Sequence, residues 1–373
     1  ANEMFIDTAS LRSSVVSHAK TLGYTPRSVR APQATVDITL NDTSVTTATL
    51  ARGTKFSTVV NDVTYNFLVN TARTKSRVDN VLTFDNVVLY EGSLITTRYT
   101  ADSTNVDQRF IIPDSNADTT TLTVSVQNSS TDTTTTVFTL ATDISQVSDT
   151  SNSYFLQEIE NGQFEVYFGD GVIGKALTDN NIVILEYIVT NKSASNGAST
   201  FTPPGSISGS SDNSVATVST ASGGAEAENI QSIKLNAPLD YASQGRAVTT
   251  NDFKVIVPTL FANTQSVSVW GGEDNDPASY GKVFISVKTT TGSDLTSTQK
   301  RNLESSLKSY VVSSIRPEVV DPEVISIRLT TTFKYNSTAT TKTNNDLAAL
   351  VSTTIADYNT NNLGLFSAPF RHS

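Results

Sequence analysis

The spacing of hydrophobic positions changes along the chain, and each change marks a different kind of element. Leu11, Val15, Ala19 and Leu22 recur at helical spacing and form one stripe of an α-helix. Gly23 is placed to cap its C-terminal end, and Pro26 blocks continuation. From Ala34 to Leu140 the period is two: "ATVDITL", "TYNFLV", "NVVLYEG", "LTVSVQ" and "TTVFTLAT" alternate or carry β-branched runs, with Asn, Asp and Gly between them. This predicts many short antiparallel strands, as a sandwich or two small sheets. Strands continue as "YFLQEIE", "FEVYFG" and "NIVILEYIV", and Asn161-Gly162 stands where a tight hairpin turn belongs.

Residues 191–229 are rich in Gly, Ser, Asn and Pro and poor in large apolar side chains, which reads as a long connection holding one strand around Val215 to Val218. Helices and strands then alternate. "TNDFKVIV" predicts a short helix ended by Pro258, with Phe253, Ile256 and Val257 on one side, and "SVSVW" and "KVFISVK" predict strands around the acidic turn "GGEDNDPASYG". Thr296 and Gln299 form a capping box, and Leu303, Leu307, Tyr310, Val311 and Ile315 a helical stripe stopped by Pro317. "VISIRLTTTFKY" alternates as a strand, and Leu347, Leu350, Val351, Ile355 and Tyr358 make a last amphipathic helix. The expected organisation is an N-terminal helical segment (1–33), an antiparallel β region (34–190) with room for two subdomains divided near 100–150, a connection (191–235) and an α+β domain (236–373). The fold class is α+β, mainly β.

Composition narrows the function classes. The 373 residues are too many for one ordinary core. A formal net charge of -10 disfavours nucleic acid and anionic membranes. Charged residues make up 17% of the chain against a usual figure of roughly 25%; Thr, Ser and Asn take their place, and β-branched Thr favours pleated structure. With no cysteine there is no disulfide, thiol nucleophile or thiolate metal site, which is compatible with folding in a reducing cytoplasm. No apolar run approaches the roughly 20 residues that span a bilayer, and the first residues lack the pattern of a signal peptide.

The candidate chemistry centres on "FGDGVIGKA", Phe168 to Ala176. Gly169, Gly171 and Gly174 spell the dinucleotide pattern G-x-G-x-x-G, while Gly169, Gly174 and Lys175 spell a P-loop lacking its closing hydroxyl residue. Phosphate binding requires the loop to feed a helix, whose free N–H groups hold the anion. Here "ALTDNN" leads directly into the β-branched run "IVILEYIV", and Ala176 stands where the magnesium-binding hydroxyl would. The glycines therefore read as left-handed positions in a link between strands, with Asp170 accepting hydrogen bonds from turn N–H groups. Glu158, Glu160 and Glu165 offer a glycosidase-like carboxylate set, with Glu158 and Glu160 on one strand face and Glu165 across the hairpin; solvated strand faces carry such acids routinely. Glu273, Asp274 and Asp276 open like a calcium loop, but Ile285 occupies its twelfth position. Two histidines, His18 and His372, support neither a zinc site nor a triad, and Trp270 reads as a core residue. No catalytic residue, cofactor or metal is expected.

Several stretches together carry a resemblance. "YFLQEIENGQFEVYFGDGVIGKALTDNNIVILEYIVTN", "NAPLDYASQGRAVTTNDFKVIV" and "VSVWGGEDNDPASYGKVFISVK" resemble baseplate wedge proteins of contractile-tailed bacteriophages, the baseplate J-like family, most of all those of the T-even type. The resemblance runs from Tyr154 to Phe366, and "FIDTASLRSSVVSHAKTLGYTPRSVRAPQATV" looks like the same type. Its most specific parts are F-G-D-G-x-x-G-K at Phe168 to Lys175 and "GRAVTTNDF", which opens on Gly245 and Arg246. The resemblance implies a structural virion protein of the tail baseplate, assembled in the host cytoplasm. It would join six wedges into a ring around the hub, self-associate, contact other wedge proteins and rearrange when the sheath contracts. It brings no catalytic residues. Leu303, Leu307, Tyr310, Leu347, Leu350 and Tyr358, on the two late helical stripes, are the interface candidates. Family members carry a longer N-terminal helical region and continue past "FSAPFRHS", so the chain reads as a fragment. The alternative reading is a virion adhesin or carbohydrate-binding module, suggested by the Thr- and Ser-rich strands.

Overall fold

A computed structural model describes residues 2–42, 44–78, 82–105, 107–141, 147–243, 245–261, 264–289, 294–312, 314–323, 328–332, 334–335, 342–362 and 366. The fold is α+β, mainly β, and divides into two compact units, Ala1–Gln244 and Gly245–Ser373.

The first unit begins with helix α1 (Arg12–Thr21) and strands β1 (Gln33–Leu40), β2 (Thr47–Leu50), β3 (Lys55–Val60), β4 (Val63–Val69), β5 (Arg73–Ser76) and β6 (Leu82–Glu91). It continues with β7 (Ser93–Thr100), β8 (Phe110–Ile112), β9 (Ala117–Gln127), β10 (Thr135–Leu140), β11 (Ser153–Glu158), β12 (Phe164–Phe168), β13 (Ile182–Val189), β14 (Asn213–Ser222) and helix α2 (Ile230–Ser243). A five-stranded sheet runs β14-β1-β6-β4-β3 and a seven-stranded sheet β7-β13-β9-β10-β11-β12-β8, with β2 and β5 as a separate pair. Pairing is antiparallel throughout this unit except between β10 and β11, where Thr139 faces Ser153 and Leu140 faces Tyr154.

The period-two pattern explains the first core. Ala34, Val36, Ile38 and Leu40 are buried along β1, while Gln33, Thr35, Asp37 and Thr39 on the other face are half-buried. Phe56, Phe67, Leu82 and Leu89 join them, each fully buried apolar side chain worth about 1.5–3 kcal/mol of transfer free energy. The Gly- and Ser-rich stretch enters this core too. Its strand β14 pairs with β1, with Val215 opposite Ile38, and Phe201 packs edge-on against Phe67 with ring centroids 5.0 Å apart. The second core, under the seven-stranded sheet, stacks Phe110 and Phe138 edge-on against Phe168 around buried Val124, Val166, Leu185 and Tyr187.

Helix α1 ends as its sequence dictates. Gly23 takes φ +80°, its N–H donates to Lys20 O at 3.0 Å, and the Tyr24 N–H donates to Ala19 O at 2.9 Å, closing a Schellman motif. Val15, Val16 and Ala19 then pack on Ile233 and Ala237 of α2. Leu11, expected on the buried stripe, is 59% exposed and precedes the first turn; Val16 takes its place in the core.

The second unit holds α3 (Thr250–Leu260), β15 (Thr264–Gly271), β16 (Lys282–Thr289), α4 (Ser297–Leu307), β17 (Arg316–Val320) and α5 (Asn344–Asn362). Its sheet runs β15-β16-β17, antiparallel then parallel. Three expectations are corrected here. Helix α3 passes through Pro258 to Leu260, because buried Phe253, Ile256 and Val257 offset the backbone bond that proline removes. Helix α4 starts at the Thr296–Gln299 capping box but stops at Leu307, and Tyr310, Val311 and Ile315 lie beyond it. The Tyr310 carbonyl accepts from Ala247 N at 2.8 Å and Val311 bridges to Ala247, pulling the chain out of the helix. Pro317 lies in edge strand β17, where a missing N–H is tolerated. "VISIRLTTTFKY", expected as a strand, follows β17. Of that stretch, 324–327 and 333 lie outside the described residues, and 328–332, 334 and 335 form no strand. No helix among the described residues is long and apolar enough to cross a membrane.

Candidate functional site

The glycine loop joins β12 to β13, so no helix follows Lys175. Gly171 and Gly174 take φ +86° and +84°, in the left-handed region that favours glycine. Gly169 is required for space: a Cβ there would lie 2.2 Å from the Ile173 carbonyl oxygen. Asp170 Oδ1 accepts from Val172 N at 2.9 Å and Ile173 N at 3.0 Å. These bonds, that from Ile173 first, hold its carboxyl below the usual carboxylate range. The loop is tied at its base, where Gly171 N donates to Gly174 O and Gly174 N to Ser148 O, and Lys175 N donates to Ser151 O at 2.9 Å. With the N–H groups of residues 171–175 already engaged, the loop offers no anion cradle of the P-loop kind. Between exposed Asp170 and Lys175 its tip presents two apolar side chains, Val172 at 73% and Ile173 at 44% exposure.

The second motif opens a helix. Gly245 takes φ +68° and Arg246 is exposed, after which Ala247 is buried. Thr249 caps α3 by accepting from Asp252 N, and Asp252 Oδ2 accepts from Thr249 N at 2.7 Å, a reciprocal capping box. "GRAVTTNDF" is thus a turn, a bridge to Val311, a cap and the core anchor Phe253.

The carboxylates do not converge on a catalytic pair. The β11–β12 register sets Gln157 opposite Glu165 and Glu158 opposite Phe164, so Glu165 lies on the face away from Glu158. Glu160 falls in the turn, where Asn161 and Gly162 supply the left-handed residues at φ +61° and +71°. Nor are Glu158 and Glu165 solvated: both are buried and paired, Glu158 with Arg12 at 2.6 and 2.9 Å, Glu165 with Gln157 and, at 3.7 Å, Arg109. Glu228 accepts from the Tyr24 hydroxyl, Arg27 N and Asn236 Nδ2, and lies 3.7 Å from the Arg27 guanidinium. Burial, then the Glu228 charge, pushes the Tyr24 hydroxyl pKa far above its usual value. Asp118 accepts from Ala31 N and lies 3.9 Å from Arg30. Glu158, Glu228 and Asp118 thus fasten residues 12–31 to the rest of the unit.

Other candidates are structural as well. Glu273 and Asp274 lie in a single helical turn, and among the described residues no group of three acidic, His or Cys side chains is placed to hold a metal. Trp270 stacks on Phe284 and donates from Nε1 to Asn275 Oδ1. His18 Nε2 lies 2.9 Å from Glu3 O, and His372 lies outside the described residues. The interface candidates divide. Leu303 and Leu307 are buried in the second unit's core, with Tyr310 against it. On α5, Leu347 and Tyr358 are half-buried and Leu350 is 50% exposed.

Residues 249–320, from the Thr249 cap through β17, match the family model for the baseplate structural protein gp6, C-terminal domain I. The chain is similar to the phage baseplate wedge proteins. Over 398 aligned positions it is 26% identical to baseplate wedge protein gp6 of Enterobacteria phage T4, covering 100% of this chain and 58% of that protein. It therefore spans somewhat over half the length of that wedge protein. Among solved structures, the anti-feeding prophage baseplate matches at 12% identity, covering 84% of this chain and 61% of that one, with a TM-score of 0.27. The superposition is too loose to bear on the fold. The wedge-protein alignment spans the glycine loop, whose exposed Val172 and Ile173 the sequence reading did not single out.

Proposed function

We infer that this chain is a structural component of a contractile-phage tail baseplate, located in the virion and assembled in the host cytoplasm, and that it works without catalysis. The observation that carries this is the alignment to a wedge protein along the whole of the chain. The loop geometry supports it, since in the one motif that suggested nucleotide chemistry the N–H groups of residues 171–175 are engaged by Asp170, Gly174, Ser148 and Ser151. Within the baseplate, the chain self-associates and contacts other wedge proteins. Two different surfaces on one chain are what a closed ring of linked wedges requires, and the ring rearranges when the sheath contracts. The two compact units offer separate bodies for those two contacts.

The test is assembly. Light scattering on the purified chain is expected to give a mass above 39.9 kDa that rises with concentration. Mixing with the other wedge proteins of the same phage should give larger particles, visible as rings or arcs by negative-stain microscopy. A strict monomer that forms no mixed species would overturn the reading.

A further inference from the structure

The second unit carries a cavity of about 550 Å³ at the outer edge of its sheet, whose walls include Tyr280, Ile315 and Pro317. Three of its nine lining residues, Lys282, Lys308 and Arg316, are cationic, in a chain of net charge -10. The nearby acids are already engaged: Glu318 of β17 pairs with Lys282 at 2.7 Å, and Asp321, just past that strand, with Lys300 at 2.7 Å. Lys308 and Arg316 are exposed, and neither has an ion-pair partner among the described residues. Lys308 sits at the C-terminal end of α4, where the helix carbonyls favour a cation. Arg316 opens β17 with no such compensation, and Tyr280 beside it is 82% exposed. A cleft with a planar guanidinium, a free ammonium, an exposed tyrosine and apolar walls has the composition of an interaction hot spot.

The edge itself is closed to strand addition. Pro317 has no N–H to offer, and the Val319 N–H, two residues on and facing the same way, donates to Glu304 Oε1 at 2.9 Å. Recognition here must run through side chains. Nucleic acid is disfavoured by the net charge, which leaves a carboxylate-bearing peptide as the complementary occupant.

We propose that this cleft binds an acidic segment of a partner protein, with Arg316 and Lys308 taking its carboxylates and Tyr280 stacking on its side chains. The proposal rests on the assembly reading for its biological setting, but its test does not. Fluorescein-labelled hexaglutamate is titrated against the full chain by anisotropy, with hexalysine and tripolyphosphate in parallel. The variants are Lys308→Glu/Arg316→Glu, and Lys254→Glu, at an exposed position of α3, as a control. Hexaglutamate binding is expected to weaken by about tenfold or more in the double variant and to stay within about twofold in the control, with melting temperatures matched. Absence of hexaglutamate binding to the unmodified chain, equal loss in the control, or tripolyphosphate binding as tightly through the same two residues would overturn it. Co-assembly with wedge proteins is measured separately on the same variants. Failure of the unmodified chain to assemble would count against the assembly reading while the peptide titration still decided the cleft.

Discussion

At the scale of single residues, the glycine loop separates two physical reasons for glycine. Gly169→Ala puts a methyl 2.2 Å from the Ile173 carbonyl, so backbone must move; a loss of about 2–3 kcal/mol in urea unfolding is expected. Gly171 has room, since a Cβ there would meet only Ala176 at 3.8 Å, and its φ of +86° is the whole cost, about 1–2 kcal/mol for Gly171→Ala. A larger effect at 171 than at 169 would contradict this reading. Glu3 gives a pH prediction. Its carboxylate accepts from Ser10 N and Oγ and from Leu11 N, tying down the entry to α1, and the Ser10 backbone bond leads in lowering its pKa from 4.5 to about 2. Because the folded value is depressed, this tie contributes fully above pH 4.5 and is lost as pH falls towards 2. Carbon-13 titration of the Glu3 carboxyl should find its midpoint near 2, and amide exchange at Ser10 should accelerate across the same window. A midpoint near 4.5 would show that the tie is absent in solution.

At the scale of elements, the buried ion pairs show how much of the fold was legible and where legibility ended. Alternation along "ATVDITL" gave β1 its buried face, Gly23 gave α1 its end, and Thr296 with Gln299 gave α4 its start, because each signal is local. Helix α4's early stop was not local: it depends on Ala247, some sixty positions away, bridging to Val311. The same applies to Glu158, which in sequence is one more acid on a strand and in the fold sits buried against Arg12 of α1. The glycine loop's link between strands was legible from the missing helix, whereas its outward-facing valine and isoleucine were not. For the ion pair, Glu158→Gln should cost about 3 kcal/mol, since it leaves the Arg12 guanidinium without its charge partner. A double-mutant cycle with Arg12→Ala should recover part of that loss. Independent, additive effects would mean that α1 is not held through this pair.

At the scale of the whole molecule, the contrast between α4 and α5 separates residues that hold a unit together from residues open to partners. Leu307 is fully buried, and Leu307→Ala should cost about 3 kcal/mol in unfolding free energy. Leu350 and Ile355 are 50% and 37% exposed on α5, and changing either to Ala should move stability by less than about 0.5 kcal/mol. Assembly should rank the positions differently. If α5 contributes one of the surfaces that link wedges, Leu350→Asp with Ile355→Asp would leave the melting temperature nearly unchanged and reduce the self-associated fraction in sedimentation velocity. The apolar tip at Val172 and Ile173 provides the comparison within the first unit, because Asp170 and the loop glycines fix it before any partner arrives, and a rigid contact loses little entropy on binding. The chain's lack of cysteine makes the two surfaces directly addressable: Val172→Cys or Leu350→Cys gives one thiol for a photo-crosslinker in the assembled particle. Crosslinks from both positions to different chains would match a protein that joins neighbours through two surfaces. Crosslinks from neither, in particles that contain the chain, would count against joining through these two surfaces.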